Sequence, residues 1–444
     1  MTTSELPVLL SLYSHIAPGE LFRLLQRGLG VTKHEGIYTP RVVIWMMMLQ
    51  RLDRRGTLAS TVEQLALGQF DPLLSRCKRV RERNIAPSTG GYCQARQNLP
   101  KMLMDRSMDE ILQRLRNHLS QRMPLVERPV YVLDGSSLQL DYCPELKQAY
   151  PPARNPRRPS HWPVLRIAVL HDVETGLAQE PCWGPMYGPQ AVSEQALAER
   201  ALNPLPPGAV LIGDRNFGIF VIAHSAHQKG HQVVIRLTSQ RAKRLLGAPI
   251  HQQGVHQVEW KASPREQAKH GKLSTDAIQG RLIARRVGRG KSKQWLYLFT
   301  TLTIPPEEVV ALYGKRWHIE TDLRSLKQTV RLNRLSVQSV DMMEKELLAA
   351  VLAYNLVRAI MCLAARKAGT STRQLSFTYA YNIVQDGIIS VLAGPTLDEQ
   401  IERMERIVDL VARCKLPNRT KRRSFPREVW GRGRAFPSRR EKTK

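Results

Sequence analysis

Between residues 129 and 238 short apolar runs alternate with amphipathic stretches, and only a sheet flanked by helices satisfies that pattern. PVYVLDGSSLQL (129–140), VLRIAVLHD (164–172) and GLAQEPCW (176–183) read as three strands, the last two joined by a Glu174-Thr175-Gly176 turn. AVSEQALAERAL (191–202) has helical spacing, and AVLIGDRNFG (209–218) is another buried strand. A helix at 219–229 and the strand QVVIRLT (232–238) follow. Three strands, a helix, a strand, a helix and a strand predict an α/β fold built on one mixed sheet.

The flanks differ in character. Residues 1–125 read as a helical N-terminal region, with apolar residues recurring at three and four in 19–30, 41–52 and 102–119. A basic run there, Arg76, Lys78, Arg79, Arg81 and Arg83, makes it a candidate DNA-binding region; a solvated helical face reads equally well. Residues 126–239 hold the first part of the core, and 240–303 read as a β-rich insertion. Residues 304–340 return to helix as the second part of the core, and 341–414 read as C-terminal helices. The window 347–365 is long enough to span a membrane, but Asn355 and Arg358 near its middle predict a core helix of a soluble protein. Residues 415–444 carry twelve Lys/Arg and two Glu and read as a disordered basic tail.

Charge narrows the partners. Lys and Arg number 67 against 38 Asp and Glu, a net +29, and such a surplus calls for a polyanion. Nucleic acid is the first candidate and an anionic membrane the second. Six scattered cysteines without a Cys-x-x-Cys pair argue against a zinc ribbon or a disulfide framework and suit a reducing cytosol.

Two aspartates, Asp134 and Asp214, read as ending buried strands, at a sheet rim where a carboxylate is both rigid and reachable. Asp172 competes, but it precedes a Glu-Thr-Gly turn and is assigned to that turn. A third carboxylate, Glu320, lies in LYGKRWHIETDLRSLKQTVRL, read as one helix. At about 100° per residue, Tyr313, Arg316, Arg324 and Lys327 fall within about 40° of Glu320 and form one polar stripe. Spacing alone also fits a salt-bridge ladder, Arg316–Glu320–Arg324. Trp317 falls off the stripe and is expected in the core. His224, His227 and His231 share helical spacing without a companion cysteine, and Gly290-Lys291-Ser292 lacks the first glycine of a phosphate loop. Arg281, Arg285, Arg286, Arg289, Lys291 and Lys293 suggest a DNA-facing hairpin, with a solvated turn as the alternative.

Tyr313-x2-Arg316-x3-Glu320-x6-Lys327 resembles the YREK signature of the insertion-sequence-four family of bacterial DDE transposases. DGSS at 134–137, GDRNFG at 213–218, YGKRWHIE around Glu320 and AYNLVR at 353–358 are similar to the family as well, and the resemblance covers roughly 85–370. It implies a ribonuclease H-like mixed sheet with a mostly β insertion between the second Asp and the Glu, which the 106 residues from Asp214 to Glu320 fit. It implies Asp134, Asp214 and Glu320 as catalytic, metal-binding residues, and Tyr313, Arg316 and Lys327 as DNA contacts, with Arg324 beside them. Trp260 and Trp295 become candidates for stacking on a base drawn from the duplex; the plainer reading has each anchoring a small sheet. Three gathered carboxylates repel unless cations neutralise them, and hard oxygen ligands suit two Mg²⁺ ions, with Mn²⁺ as substitute.

The implied activity is metal-dependent cleavage at insertion-element ends and strand transfer into target DNA. The implied partners are double-stranded DNA, as terminal inverted repeats and as target, and a second copy of the chain in a synaptic complex, in the bacterial cytoplasm with the nucleoid and with no membrane. Two rivals stand: a stand-alone ribonuclease H-like nuclease, and an inactive DNA-binding protein derived from a transposase.

Overall fold

The alternation at 129–238 becomes five strands: β1 (Val130–Gln139), β2 (Val164–Asp172), β3 (Cys182–Pro185), β4 (Val210–Gly213) and β5 (Gln232–Leu237). The computed structural model describes residues 19–30, 36–53, 55–69, 74, 77–119, 123–154, 160–270, 277–288, 293–333, 335, 337–392, 394 and 396–417. Three more strands, β6 (Gly254–Trp260), β7 (Ile278–Val287) and β8 (Gln294–Thr300), complete a single sheet in the order β3-β2-β1-β4-β5-β8-β7-β6. β1 to β3 pair antiparallel, β4 and β5 run parallel to β1, and β8 returns antiparallel to β5. The first five strands have the ribonuclease H-like order. The stretch 240–303 is thus an insertion in sequence but an extension of the same sheet in space, through β8 on β5 and the antiparallel pairs of β6, β7 and β8.

The helices that hold the site are α1 (Pro40–Leu52), α2 (Lys101–Leu119), α3 (Glu194–Ala201), α4 (Phe220–Gln228), α5 (Ser239–Leu246), α6 (Pro306–Gly314), α7 (Trp317–Arg324), α8 (Val340–Lys367), α9 (Phe377–Leu392) and α10 (Leu397–Ala412). Side chains alternate along β1, so Val130 and Val132 face one core while Tyr131 and Leu133 face the other. The first core holds α1, α2, α7 and α8; the second holds α3, α4 and the apolar side of α5.

Helix α8 contains the apolar 347–365 window, and that window is wholly buried among α1, α2, α9 and α10. Its polar residues are paired. Asn355 exchanges two hydrogen bonds with the Ala178 backbone, both 2.8 Å. Glu346 accepts from Arg51 and Arg96 of the N-terminal helices, and Lys345 donates to the carbonyls of Arg96 and Gln97 at 3.2 and 3.1 Å. Removing one partner of such a buried pair typically costs about 3–5 kcal/mol, so these contacts bolt the N-terminal helices to the core.

Four expectations change. β1 does not end at Asp134: it runs on to Gln139 against β2, and only its unbroken buried run stops at Leu133. β3 starts at Cys182 rather than 176, because the preceding residues make a single bridge, His171 with Ala178. The stretch 312–332, read as one helix, breaks at Lys315–Arg316. There the amides of Arg316, His318 and Ile319 bond three residues back at 3.0–3.1 Å, which tightens the turn, and Ser325–Thr329 is then π-helical. That break turns Trp317 outward: it is 62% exposed, not in the core.

Candidate active site

The site begins with strand register. Val132 of β1 pairs with Ile212 of β4, and two residues further along each chain stand Asp134 and Asp214. β4 ends at Gly213 while β1 continues, so the two carboxylates sit at a step in the sheet where packing gives way to solvent. Both are held by backbone amides. Gly135 N–H donates to Asp134 Oδ1 at 2.9 Å, and Asn216 N–H donates to Asp214 Oδ1 at 2.7 Å. The loop after Asp214 packs so closely on β5 that a Cβ at Gly218 would collide with the Arg236 carbonyl.

Burial pushes the Asp134 carboxyl up to about 6. That value already includes the raising charges of Asp214 and Glu194 and the opposing Gly135 amide and Arg316. Glu194, on α3, is also raised by burial and by Asp214. Sequence reading missed it, because a first-turn glutamate ordinarily signals only the helix dipole. The available clue was Gly135, a glycine inside a strand, which marks close approach of another group.

Glu320 on α7 is exposed, and its Oε1 accepts from Arg316 Nη2 at 2.9 Å. The same guanidinium lies near Asp134 and Tyr313. Tyr313 is buried, with Arg316, Arg236 and Asp214 as charged neighbours of its hydroxyl. Lys327 reaches back to β1, donating to Ser136 Oγ and the Ser137 carbonyl at 2.9 Å each. Arg324 is exposed. The polar stripe is therefore split: Tyr313 and Arg316 turn toward the two aspartates, Lys327 toward Ser136 and Ser137 of β1, and Arg324 toward solvent.

The far side of α7 fixes it in place. Asp322 is fully buried and accepts from Arg358 of α8 and, at 2.7 and 2.8 Å, from Arg373. Arg373 also donates to the carbonyls of Asp172 and Val173 at 2.8 and 2.6 Å, where β2 ends. Lys315 pairs with Glu174 at 2.6 Å. Asp172 itself accepts from the amides of Glu174 and Thr175 at 2.9 and 2.7 Å, as a turn aspartate does.

The aromatic and basic candidates are dispersed. Trp260 is half-buried, edge-on to Phe299 and Phe220, and borders a cavity of about 570 Å³ that reaches Gly218, Arg241 and Glu266. Trp295 stacks on Tyr297 with centroids 5.8 Å apart, and Arg286 lies 4.9 Å over its ring. Arg281 donates to the Leu302 and Ile304 carbonyls, and Arg285 pairs with Glu307. Trp317, with Arg316 5.4 Å over its ring, is the exposed aromatic next to Glu320. Arg76, Arg289, Lys291 and the tail from 418 lie outside the described residues.

Among the described residues no three His, Cys, Asp or Glu side chains come close enough together to hold a metal ion. The donor set nevertheless fits a hard divalent cation: all oxygen, with Asp134 under like-charge stress from Asp214 that a cation would relieve. Glu320 stands apart from the two aspartates, with its Oε1 paired to Arg316.

Two carboxylates abreast at the rim of a ribonuclease H-like sheet suit metal-assisted phosphodiester chemistry. Residues 126–356, just over half of the chain, match the family profile described as "Transposase DDE domain", and the chain belongs to that family of DNA transposases. Its members use divalent metal ions. The chain is 26% identical over 442 residues to the transposase InsG for insertion sequence element IS4 of Escherichia coli (strain K12), across 97% of this chain and 94% of that one. The piggyBac transposase in a cryo-EM synaptic complex with hairpin DNA aligns over 94% of this chain and 87% of its own, at 13% identity and a TM-score of 0.39.

Proposed function

We propose that this transposase cleaves DNA at the ends of its own insertion element and joins the freed 3′ ends to target DNA, with Asp134, Asp214 and Glu320 as its metal-binding residues. The observation that supports this most is the register of β1 and β4, which brings Asp134 and Asp214 abreast at the step in the sheet. Two Mg²⁺ ions, or Mn²⁺ in their place, would supply positive charge to the attacking and leaving oxygens of an in-line displacement. Arg316 and Lys327 hold the phosphates beside the cut, so the scissile bond is presented in line. When DNA arrives, Arg316 exchanges Glu320 for a phosphate, which frees Glu320 to face the two aspartates. Tyr313 donates a hydrogen bond from a fixed ring, and Arg324 meets phosphate further out. Trp317 is exposed beside Glu320 and would meet a displaced base most readily, while Trp260 and Trp295 would have to give up part of their packing to do so. The working unit is a homodimer on two element ends in the bacterial cytoplasm.

The test uses a plasmid carrying the element, purified full-length protein and Mg²⁺. Asp134→Asn, Asp214→Asn and Glu320→Gln should each abolish nicking and joining while still binding element ends. Wild-type cleavage by any of the three removes that residue from the reaction. Cleavage without any joined product assigns the chain to the nuclease rival.

A further inference from the structure

Gly135 and the loop after Asp214 meet a fourth carboxylate. Glu194 opens α3, whose cap Ser193 accepts from the Ala196 amide at 3.1 Å. A glutamate in a first helical turn needs only the helix dipole and normally points to water. Glu194 instead lies across Gly135, where any Cβ would collide with its carboxylate. A side chain at 135 would therefore push the Glu194 carboxylate off this seat, and glycine leaves it room. The other carboxylate oxygen accepts from Asn216 Nδ2. Gln195, next on the same helix, donates to Asn216 Oδ1 at 2.9 Å, and this turns the Asn216 NH₂ toward Glu194. The Asn216 amide holds Asp214 Oδ1, and the Gly135 amide holds Asp134 Oδ1. Arg166 secures the approach by donating to the Val192 carbonyl at 3.0 Å. Glu194 thus braces, from the α3 side of the sheet, both residues whose amides orient the two aspartates.

We propose that Glu194 is a positioning residue of the cleavage reaction, setting the Asp214 carboxylate through Asn216 and the Asp134 carboxylate through its seat on Gly135. The proposal rests on the reading of Asp134 and Asp214 as catalytic. Partners that orient metal-binding carboxylates typically carry about 10–100-fold in metal affinity or activity. A plain helix-terminal acid would carry neither.

The experiment compares full-length Glu194→Ala, Glu194→Gln, Asn216→Ala and the Glu194→Ala/Asn216→Ala double variant with wild type, and includes Asp214→Asn as a control. Three quantities are read: melting temperature, Mn²⁺ affinity of the DNA-free protein from the EPR signal of free Mn²⁺, and single-turnover cleavage of pre-bound element ends. Glu194→Ala should bind ends normally, cleave at least about tenfold more slowly and bind Mn²⁺ at least about tenfold more weakly. Glu194→Gln keeps an oxygen that accepts from Asn216 and should recover most of both losses. The double variant should be no worse than the poorer single one, because both act along one path. Wild-type cleavage and Mn²⁺ affinity in Glu194→Ala, multiplied losses in the double variant, or no recovery in Glu194→Gln would each overturn the proposal. If Glu194→Ala melts too low to assay, Asn216→Ala at the wild-type rate overturns it equally. Asp214→Asn inactive beside an active Glu194→Ala sinks this proposal alone, whereas an active Asp214→Asn sinks the catalytic reading beneath it.

Discussion

Asp134→Asn should make the metal-free protein more stable while destroying its activity. The folded protein holds the Asp134 carboxyl at about 6 through burial, with Asp214 and Glu194 adding to it. An unfolded aspartate titrates near about 3.9. The folded state therefore binds this proton more tightly than the unfolded state. Its stabilising contribution is complete below about pH 4 and is lost as pH rises through about 6. Above pH 7 the ionised carboxylate opposes folding by about 3 kcal/mol, which partial exposure to solvent reduces to about 1–3 kcal/mol. Asparagine removes the charge and keeps an oxygen for the Gly135 amide. In EDTA at pH 8 the variant should melt a few degrees above wild type, and the gap should shrink as pH falls from 7 toward 4. Added Mn²⁺ should raise the wild-type melting temperature and leave the variant unmoved, since only a folded site that binds the ion gains from it. Melting curves across pH, with and without Mn²⁺, measure all of this. A variant less stable than wild type at pH 8 in EDTA, or a gap that ignores pH, would refute the electrostatic account of the site.

Arg316→Ala should cost under about 1 kcal/mol of stability, because its i,i+4 partner Glu320 is exposed, and Lys327→Ala about 1–2 kcal/mol, the net worth of its hydrogen bonds to Ser136 and Ser137. Each should slow single-turnover cleavage at least about tenfold through lost positioning, with Arg324→Ala milder; normal cleavage by both would return the face to ordinary salt bridges. Asp322→Asn should destabilise the protein by about 3–5 kcal/mol in urea unfolding, because it leaves Arg358 and Arg373 buried without their carboxylate. A loss under about 1 kcal/mol would show that α7 is not anchored there. DNA affinity should fall by about 0.9 log units per log unit of salt for each neutralised phosphate. Deleting 415–444, with its twelve Lys/Arg, should flatten that slope and preserve cleavage at low salt; cleavage lost at low salt would give the tail a structural role.

Much of this was legible in the chain because it is local. A short apolar run with β-branched residues such as VLRIAVLHD suits a buried strand, and β2 spans the same residues, Val164–Asp172. The interior helix was legible too, since Asn355 and Arg358 in an apolar stretch demand protein partners. Asp172 was read correctly as a turn residue from the Glu-Thr-Gly that follows it. Helical spacing placed Tyr313, Arg316, Glu320 and Lys327 on one face, and that is as far as periodicity reaches.

The tertiary structure decided what periodicity cannot express. A constant 100° per residue misplaced Trp317, because the tightened turn at Lys315–Arg316 is set by packing against the sheet and by the Lys315–Glu174 pair. It turned 240–303 from a separate insert into strands of the main sheet, because β5 has a free edge that β8 can pair. It brought Glu194 to Asp134 and Asp214, a meeting invisible in the chain because a side chain's chemistry is written locally but its neighbours are not. Sequence supplied the carboxylates and the basic side chains of the proposed site. Their relative positions come from the offset between β1 and β4 and from the docking of α3 and α7 on opposite faces, and both are fixed by burying apolar surface far from the charges themselves.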